Sequence, residues 1–277
     1  MTLAAEIEEF FATPSDTLNR HRALQAFNEF KFFLNRGEIR AADRAGDAWQ
    51  VHAWVKKGIL LGLRLGMPVE ITLNAQVRYI ETNTFPLRHL SVEDGVMVPA
   101  GGSAIRDGAF IGRGVLCSPP MYIEAGAYID AGTSVGSHSL IGSCTQVGRN
   151  VHIGPGTQIE SMLEPVEALP AILEDDVYLA GMSWVQGSVI VRHGAVIGPG
   201  VALSGGGAVY DAALETMHQP AGDGPLVIPP YAVVVQGQRL LEQQRGPGAG
   251  VSRSEPVIVQ YREPGRSASA VLKDVLR

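Results

Sequence analysis

The fold is decided by residues 105–159, which read IRDGAFIGRGVLCSPPMYIEAGAYIDAGTSVGSHSLIGSCTQVGRNVHIGPGTQI. A mostly aliphatic residue recurs every six positions through this stretch, and the same spacing resumes between positions 173 and 203. Ordinary helices and hairpins do not keep such a register over so many positions. The recurring positions are Ile105, Ile111, Cys117, Ile123, Ile129, Val135, Ile141, Val147, Ile153, Ile159, Leu173, Leu179, Val185, Val191, Ile197 and Leu203.

The residues between the recurring positions indicate how the chain turns. Glycine, aspartate or glutamate often follows the aliphatic residue, and a small or β-branched residue lies four positions after it. This pattern predicts a short strand, a tight turn and another short strand. Three such units make an 18-residue coil of triangular cross-section. Successive coils should stack at about 4.8 Å, the spacing of paired strands, with the aliphatic residues inside.

The same pattern resembles that of the hexapeptide-repeat family, whose members fold as left-handed parallel β-helices. The resemblance implies a mainly β protein of this type. The handedness comes from the resemblance alone, because parallel crossover connections are usually right-handed.

The sequence on either side of the repeat has a different character. We predict a small α/β N-terminal domain over residues 1–98, the β-helix over residues 99–225, and a short C-terminal cap of strands and a helix over residues 226–277. Two loop excursions are expected to leave the coil, at residues 160–172 and 205–225. Caps are needed because both ends of a coil expose unpaired backbone groups.

Residue spacing also predicts the elements inside the flanking domains. Helices are predicted at residues 6–11, 18–34, 54–65 and 267–276. Ser15 or Asp16 is the predicted N-cap of the second helix. Strands or extended segments are predicted at residues 48–51, 71–79, 232–235 and 257–261.

Composition and charge exclude several classes of protein. The 277 residues are 45% hydrophobic and 18% charged, which is typical of a folded chain with a sizeable core. The net charge of −6 provides no basic excess for binding nucleic acid or anionic membranes. Two cysteines cannot form a disulfide framework or a four-sulfur zinc site. Without a segment typical of a signal peptide or a membrane span, we expect a soluble cytoplasmic protein.

Several motifs in the N-terminal domain and the coil resemble those of tetrahydrodipicolinate N-succinyltransferases, enzymes of lysine biosynthesis. The motifs are LNRGEIR at 34–40, WQVHAWVKK at 49–57, IRDGAFI at 105–111, GAYID at 126–130, IGSCTQVG at 141–148, LEP at 163–165 and ILED at 172–175. The resemblance implies a homotrimer with active sites between subunits. It also implies an acyl-CoA co-substrate lying along the coil, no permanently bound cofactor, and a small amino acid as acceptor.

Departures from the family pattern bear on the acceptor. Gly136 stands where the family has an aspartate against the amino group of the substrate. Val96 and Met182 stand at positions of family arginines, and Glu160 and Ser161 replace two glycines. An arginine holds a carboxylate through paired hydrogen bonds, so its loss weakens binding of the usual cyclic diacid.

We therefore predict an acyl-CoA-dependent N-acyltransferase. It would move a succinyl or acetyl group to the amino group of a small dicarboxylic or diamino acid. The alternative is a diverged, acetyl-CoA-dependent paralogue in a secondary-metabolite pathway such as tabtoxin biosynthesis.

Glu164 and His138 are the predicted catalytic residues. Glu164 matches an acidic active-site residue of the family and would orient the ammonium group of the acceptor or take its proton; the alternative is a solvated loop carboxylate. His138 lies two residues after Gly136 and would replace the lost aspartate as the base, because histidine titrates near neutral pH. A histidine in a surface turn is the alternative.

Arg106, Gly142 and Ser143 are the predicted substrate-binding residues. Arg106 aligns with a family arginine and would hold a carboxylate, unless it forms a salt bridge at the edge of the coil. Gly142 and Ser143 would donate hydrogen bonds to the thioester oxygen, although a tight turn explains both residues as well.

Small residues in the later coils would let the pantetheine arm of CoA approach the backbone, although tight turns also need them. The predicted cofactor-binding residues of this kind are Ala180, Gly181, Gly198 and Gly200. Arg239 is the predicted contact for the CoA phosphates, and Arg245 and Arg253 are further candidates. Cys117 and Cys144 are expected to be buried rather than nucleophilic, because no base is evident beside either of them.

Two rival functions belong to other classes. A zinc hydratase of this fold would bring histidines together across a subunit boundary. His138, His152 and His193 lie in the coil, but they lack the close pair that such a site uses, and we predict no metal site. A non-catalytic scaffold would need neither the excursions nor the N-terminal motifs.

Overall fold

The structure is a computed structural model, and it describes residues 1–74, 77–160, 162–240 and 252–277. Its first part contains three helices and two antiparallel hairpins. These elements are α1 (Leu3–Ala12), α2 (Arg20–Asn35), β1 (Ala42–Ala45), β2 (Ala48–Val51), α3 (Ala53–Leu65), β3 (Pro68–Asn74) and β4 (Val77–Thr82). A short 3-10 helix, Val92–Asp94, precedes the coil. None of the helices in the described ranges combines the length and the apolar character needed to span a membrane.

The repeat folds into short parallel strands, nearly all of them two residues long. They are β5 (Ala104–Ile105), β6 (Phe110–Ile111), β7 (Leu116–Cys117), β8 (Tyr122–Ile123), β9 (Tyr128–Ile129), β10 (Ser134–Val135), β11 (Leu140–Ile141), β12 (Gln146–Val147), β13 (His152–Ile153), β14 (Gln158–Ile159), β15 (Ile172–Leu173), β16 (Tyr178–Leu179), β17 (Trp184–Val185), β18 (Val189–Val191), β19 (Val196–Ile197) and β20 (Ala202–Leu203). The chain then continues through β21 (Val209–Asp211), β22 (Thr216–His218), β23 (Leu226–Ile228), β24 (Ala232–Leu240), β25 (Ser252–Tyr261) and α4 (Ala268–Val275).

Each strand from β5 to β17 pairs in parallel with the strand three places later, which gives the coil three faces. Face 1 contains β5, β8, β11, β14, β17 and β20, and face 2 contains β6, β9, β12, β15, β18 and β23. Face 3 contains β7, β10, β13, β16 and β19, and it continues into β24, β25, β21 and β22. Ile123 pairs with Ile141, 18 residues later. The predicted coil of parallel strands is therefore confirmed.

The recurring aliphatic residues form the core of the coil. All sixteen are buried, and the most exposed of them, Ile105, retains 6% of its surface. Each is the last residue of its strand, so the residue before it points outward. Some turns leave no room for a side chain. A Cβ on Gly154 would lie 2.5 Å from the backbone nitrogen of Gly181 in the next coil, which is too close for any residue but glycine. The six-residue period thus identified the core correctly.

The three N-terminal helices form a second core that docks on the coil. Phe27 and Phe30 of α2 are fully buried, and Ile59 of α3 lies in the same cluster. The coil residues Ala125 and Cys144 belong to this cluster as well. The N-terminal helices therefore pack directly on the coil through this second core.

The β1–β2 hairpin covers face 2. Trp49 of β2 packs with Ile172 of β15, and its indole Nε1 donates a hydrogen bond of 3.0 Å to Glu174. Just before β1, the Arg40 guanidinium lies 3.7 Å from the centroid of the Tyr128 ring. These contacts make much of face 2 an internal surface.

The C-terminal elements cover part of face 3. Val271 and Leu272 of α4 pack against Ala180 and Val196. The strands predicted at 232–235 and 257–261 lie within β24 and β25, and the helix predicted at 267–276 contains α4. These C-terminal predictions are confirmed.

Two local predictions are wrong. The N-cap of α2 is Asn19, whose side chain accepts a hydrogen bond from the Arg22 amide at 3.2 Å, so neither Ser15 nor Asp16 caps the helix. The segment predicted as one strand at 71–79 contributes instead to the two strands of the β3–β4 hairpin. Periodicity alone does not detect a reversal inside an apolar run.

Candidate active site

The predicted site residues lie on two of the three corners of the coil. Corner 1–2 joins faces 1 and 2 and carries Arg106, Gly142 and Ser143. Corner 3–1 joins faces 3 and 1 and carries His138, Ala180, Gly181, Gly198 and Gly200. Glu164 lies in the excursion loop that leaves corner 1–2 after β14 and returns at β15. Within one subunit, the two predicted catalytic residues therefore lie at different corners.

A cleft of about 330 Å³ lies at corner 1–2, between the coil, α3 and β4. Arg106, Tyr122 and Ser143 line it from the coil, and Leu163, the residue before Glu164, lines it from the excursion loop. A larger cleft of about 690 Å³, between the β1–β2 hairpin and residues 165–169 of that loop, contains none of the predicted site residues. The smaller cleft is the candidate acceptor site because it gathers the predicted polar groups.

The Arg106 guanidinium is already paired inside this cleft. Its Nη1 donates to the Glu81 carboxylate, and its Nε donates to the Tyr122 hydroxyl at 2.5 Å. The Arg106 and Glu81 side chains retain only 20% and 17% of their exposure, so this is a partly buried ion pair. Among the described residues, Nη2 has no hydrogen-bond acceptor. Arg106 thus forms a salt bridge, which was the alternative to ligand binding in the sequence analysis, and its Nη2 remains available to a ligand.

The expected hydrogen-bond donors at Gly142 and Ser143 need correction. The Gly142 amide donates to the Ile159 carbonyl at 2.8 Å as part of the stacking of coils. The Ser143 amide and hydroxyl both donate to Glu124, at 2.8 and 2.9 Å. These donors are occupied, so neither residue offers a free N–H or O–H to a thioester oxygen in this arrangement.

Glu164 and His138 are both exposed. In the described part of the chain, the Glu164 carboxylate has no ion pair and no hydrogen bond. His138 occupies a corner turn with a left-handed backbone (φ 62°), and Gln158 donates to its carbonyl oxygen at 3.2 Å. Both side chains are therefore accessible to a ligand or to another subunit.

The predicted CoA-binding residues divide into two groups. Ala180 is buried under α4, and a Cβ on Gly198 would lie 3.6 Å from the Leu272 Cδ1 atom. At Gly198 the tighter contact is with β24, because the same Cβ would lie 3.0 Å from the Val234 carbonyl oxygen. Both positions are buried, so neither provides the uncovered surface that was predicted for CoA. Gly181 is only partly buried, and a Cβ on Gly200 would meet open space. Gly181 and Gly200 share corner 3–1 with His138.

Arg239 and Arg253 face each other on the β24–β25 ribbon. Both flank Glu255, with Arg253 Nη2 at 2.9 Å and Arg239 Nη1 at 3.8 Å from its carboxylate oxygens. The two arginine side chains retain about 60% of their exposure, at 58% and 63%. Their charge therefore remains open to solvent. Arg245 lies outside the described residues.

Both cysteines are buried, as the sequence predicts. Burial raises the pKa of Cys117 and of Cys144 to about 12. A thiol with such a pKa is almost entirely protonated at neutral pH, and the thiolate is the nucleophilic form. Neither cysteine is therefore equipped to carry an acyl group.

The coil histidines serve separate local contacts. His152 stacks on Tyr178 with ring centroids 4.5 Å apart, and its Nδ1 lies 2.9 Å from the Ser134 hydroxyl. His193 bonds to the Tyr231 hydroxyl at 2.9 Å. Across the residues that the structure describes, no three His, Cys, Asp or Glu side chains are placed to hold a metal ion.

His152 predicts a dependence of stability on pH. Burial lowers the pKa of His152 below its ordinary value of 6.5, so the folded protein binds this proton less readily than the unfolded chain does. Stability should therefore fall as the pH drops through 6.5 toward the lower folded-state pKa. Well above pH 6.5 His152 is neutral in both the folded and the unfolded chain, so this destabilisation is absent there.

This dependence is measured as the thermal midpoint between about pH 7.5 and about pH 5.5. In His152→Gln the decline on acidification should be smaller, whereas the exposed control His21→Gln should keep the original slope. Equal slopes in all three proteins would contradict the assignment to His152.

Sequence reasoning missed the partners that complete the corner 1–2 cleft. Glu81 comes from β4, and Tyr122 occupies an outward strand position that the repeat leaves unspecified. Glu124 follows Ile123 at a position where the repeat has glycine, aspartate or glutamate, so its residue type gave no signal of a partner.

The comparisons with known proteins agree with this architecture. A family model described as the N-terminal part of tetrahydrodipicolinate N-succinyltransferase matches residues 2–65. A 2,3,4,5-tetrahydropyridine-2,6-dicarboxylate N-succinyltransferase of Methylorubrum populi is 33% identical over 265 residues, which cover 91% of this chain and 89% of that protein. Proteins of the same name from Escherichia coli O6:H1 and Shigella boydii serotype 4 are 36% and 37% identical, over 80% and 77% of this chain and 78% of each relative.

The similarity thus extends over both the N-terminal helices and the coil. The chain belongs to the tetrahydrodipicolinate N-succinyltransferase family, a family of acyltransferases.

Proposed function

We propose that this protein transfers a succinyl or acetyl group from CoA to the amino group of a small dicarboxylic or diamino acid. In this proposal the coil is left-handed, as in the hexapeptide-repeat family, and acyl-CoA is a co-substrate with no permanently bound cofactor. The observation that carries the proposal is the similarity to N-succinyltransferases along most of the chain. The Methylorubrum populi relative is 33% identical over an alignment that covers 91% of this chain.

The proposed assembly is a homotrimer with active sites between subunits. Glu164 and the candidate acceptor cleft lie at corner 1–2, whereas His138, Gly181 and Gly200 lie at corner 3–1. In the proposed trimer, corner 1–2 of one subunit would face corner 3–1 of the next, because contacts around a three-fold axis join two different surfaces of the same chain. This separation of the two half-sites supports an arrangement in which acceptor and acyl-CoA meet between neighbours.

The chemistry follows from direct attack of the amine on the thioester. Glu164 holds the ammonium group of the acceptor, and Glu164 or His138 takes the proton that must leave before the nitrogen can attack. The nitrogen then bonds to the thioester carbonyl carbon and loses its second proton, the carbon–sulfur bond breaks, and the CoA thiolate takes up that proton, so one proton remains on the base. Because both substrates bind together, the gain in rate comes mainly from holding them in line. No acyl-enzyme is needed.

Arg106 and two lost arginines bear on which acceptor is used. Arg106 offers its Nη2 to one carboxylate of the acceptor. Val96 and Met182, at positions of family arginines, are uncharged and provide no second cation, although Met182 is 74% exposed. This favours an acceptor with one carboxylate near Arg106 and is the observation behind the second candidate, an acetyl-CoA-dependent paralogue in a secondary-metabolite pathway such as tabtoxin biosynthesis.

A donor and acceptor screen tests both candidates. Acetyl-CoA and succinyl-CoA are each incubated with a panel of dicarboxylic and diamino acids, and the products are identified by mass spectrometry. Free CoA should appear only when an α-amino acid is present. Release with succinyl-CoA selects the first candidate, and release with acetyl-CoA but not with succinyl-CoA selects the second. Binding of neither CoA ester and no release with any pair would overturn the proposal in favour of a scaffold.

A further inference from the structure

Lys56 of α3 is a charged residue in an unusual place. It retains 0% of its exposure and is among the largest fully buried side chains of the described residues. Burying an ammonium group costs several kcal/mol unless it is well compensated. The hydrogen-bond partners of the Lys56 ammonium group therefore decide how far this cost is offset.

The partners of Lys56 belong to the excursion loop that carries Glu164. Its Nζ donates to the Ala168 carbonyl at 2.5 Å and to the Pro165 carbonyl at 3.4 Å. Burial lowers the pKa of Lys56, and the nearby Glu167 carboxylate acts in the opposite direction. Pro165 follows Glu164 directly, so one end of this contact lies beside the predicted catalytic carboxylate.

Few other contacts hold this part of the loop. Residues 162–171 contain no helix or strand. Within them, one backbone hydrogen bond of 3.0 Å, from the Ala168 amide to the Pro165 carbonyl, closes a turn. Leu163 packs against the N-terminal core, and the Ser188 amide donates to the Leu169 carbonyl at 2.7 Å. Between these two contacts, Lys56 is the link from the loop to α3.

We propose that Lys56 is a positioning residue that fixes the excursion loop, so that Glu164 meets the amino group of the acceptor. This inference rests on the proposed function, and it extends that function by giving the N-terminal helices a direct part in the reaction. Lys56 touches neither substrate. Its effect on the rate passes through Glu164.

The experiment compares Lys56→Met with Lys56→Gln, which keeps a shorter, neutral donor. The matched control is Lys57→Met, because Lys57 is the adjacent lysine of α3 but pairs at 2.6 Å with Glu8, away from the loop. Lys56→Met should lower kcat by about tenfold or more and leave KM for acyl-CoA within about twofold, and Lys56→Gln should lose less. Lys57→Met should match the unmodified protein.

A double variant separates positioning from a general structural role. If Lys56 acts through Glu164, adding Lys56→Met to Glu164→Ala should change kcat by less than about twofold, because the group being positioned is already gone. Independent effects that multiply would overturn the proposal. Either variant at Lys56 suffices for this comparison, so a failure of Lys56→Met to fold does not prevent it.

Amide hydrogen exchange provides a readout that does not need activity. Loss of the Lys56 contacts should speed exchange in residues 162–170 while the coil amides keep their protection. If the unmodified protein turns over no substrate, the proposed function fails, but faster exchange confined to this loop still supports the anchoring. Unchanged exchange in both variants would overturn the anchoring itself.

Discussion

Replacing Glu164 by alanine should lower the rate of CoA release by about tenfold or more, a loss typical of removing a group that orients or deprotonates the nucleophile. Glu164 is exposed in the excursion loop and has no ionic or hydrogen-bond partner in the described part of the chain. Its removal should therefore leave folding and assembly intact. The rate is measured as free thiol with the donor and acceptor pair found in the screen, at saturating acyl-CoA.

The control for this variant is Glu9→Ala, which removes an exposed carboxylate from α1. Its rate should equal that of the unmodified protein, and size-exclusion chromatography should show the same assembly for all three proteins. Unchanged turnover in Glu164→Ala would remove Glu164 from the mechanism and leave His138 as the remaining candidate base.

Replacing Ile141 by alanine should reduce the free energy of unfolding by about 2–5 kcal/mol, the range for large-to-small changes in a packed core. Ile141 is fully buried and lies in a ladder between Ile123 in the previous coil and Ile159 in the next. A cavity there removes contacts on both sides, and neighbouring coils cannot collapse into it without breaking their register. The loss is measured by urea denaturation at a fixed protein concentration.

Gln158→Ala is the matched control for this prediction. Gln158 is exposed on β14, the strand that pairs with β11, and points outward from the same face. Its replacement should change the free energy of unfolding by less than about 1 kcal/mol. Similar losses for the inward and the outward substitution would show that the recurring position is not the core of the coil.

The coil and the site place different demands on the chain. The coil is a repetitive scaffold in which each unit contacts only its neighbours, so its stability depends on nearest-neighbour stacking. The candidate site is built where this repetition is broken, at the excursion loop after β14 and at the N-terminal helices that dock beside it. The rigid coil can therefore hold the loop at a defined place beside the groups that its own corners contribute, such as Arg106.

The sequence alone determined the coil and its core. In a stack of six-residue units every inward position is specified by its spacing from the last, so Ile105 through Leu203 were identified without any knowledge of distant contacts. The elements of the flanking domains were also largely predictable, because α3 and α4 each show an apolar face within one short window. Errors arose where the chain reverses inside such a window, as in the β3–β4 hairpin.

Only the tertiary structure decided which groups are free to act. Whether Arg106 is open depends on Glu81, whether Ser143 can donate depends on Glu124, and whether the loop at Glu164 is held depends on Lys56, 112 positions before Ala168. None of these pairs follows from a local period, because each is set by the way the N-terminal helices and the turns of separate coils come together. Spacing along the chain determines burial in a repeat, whereas hydrogen-bond partners are determined by docking.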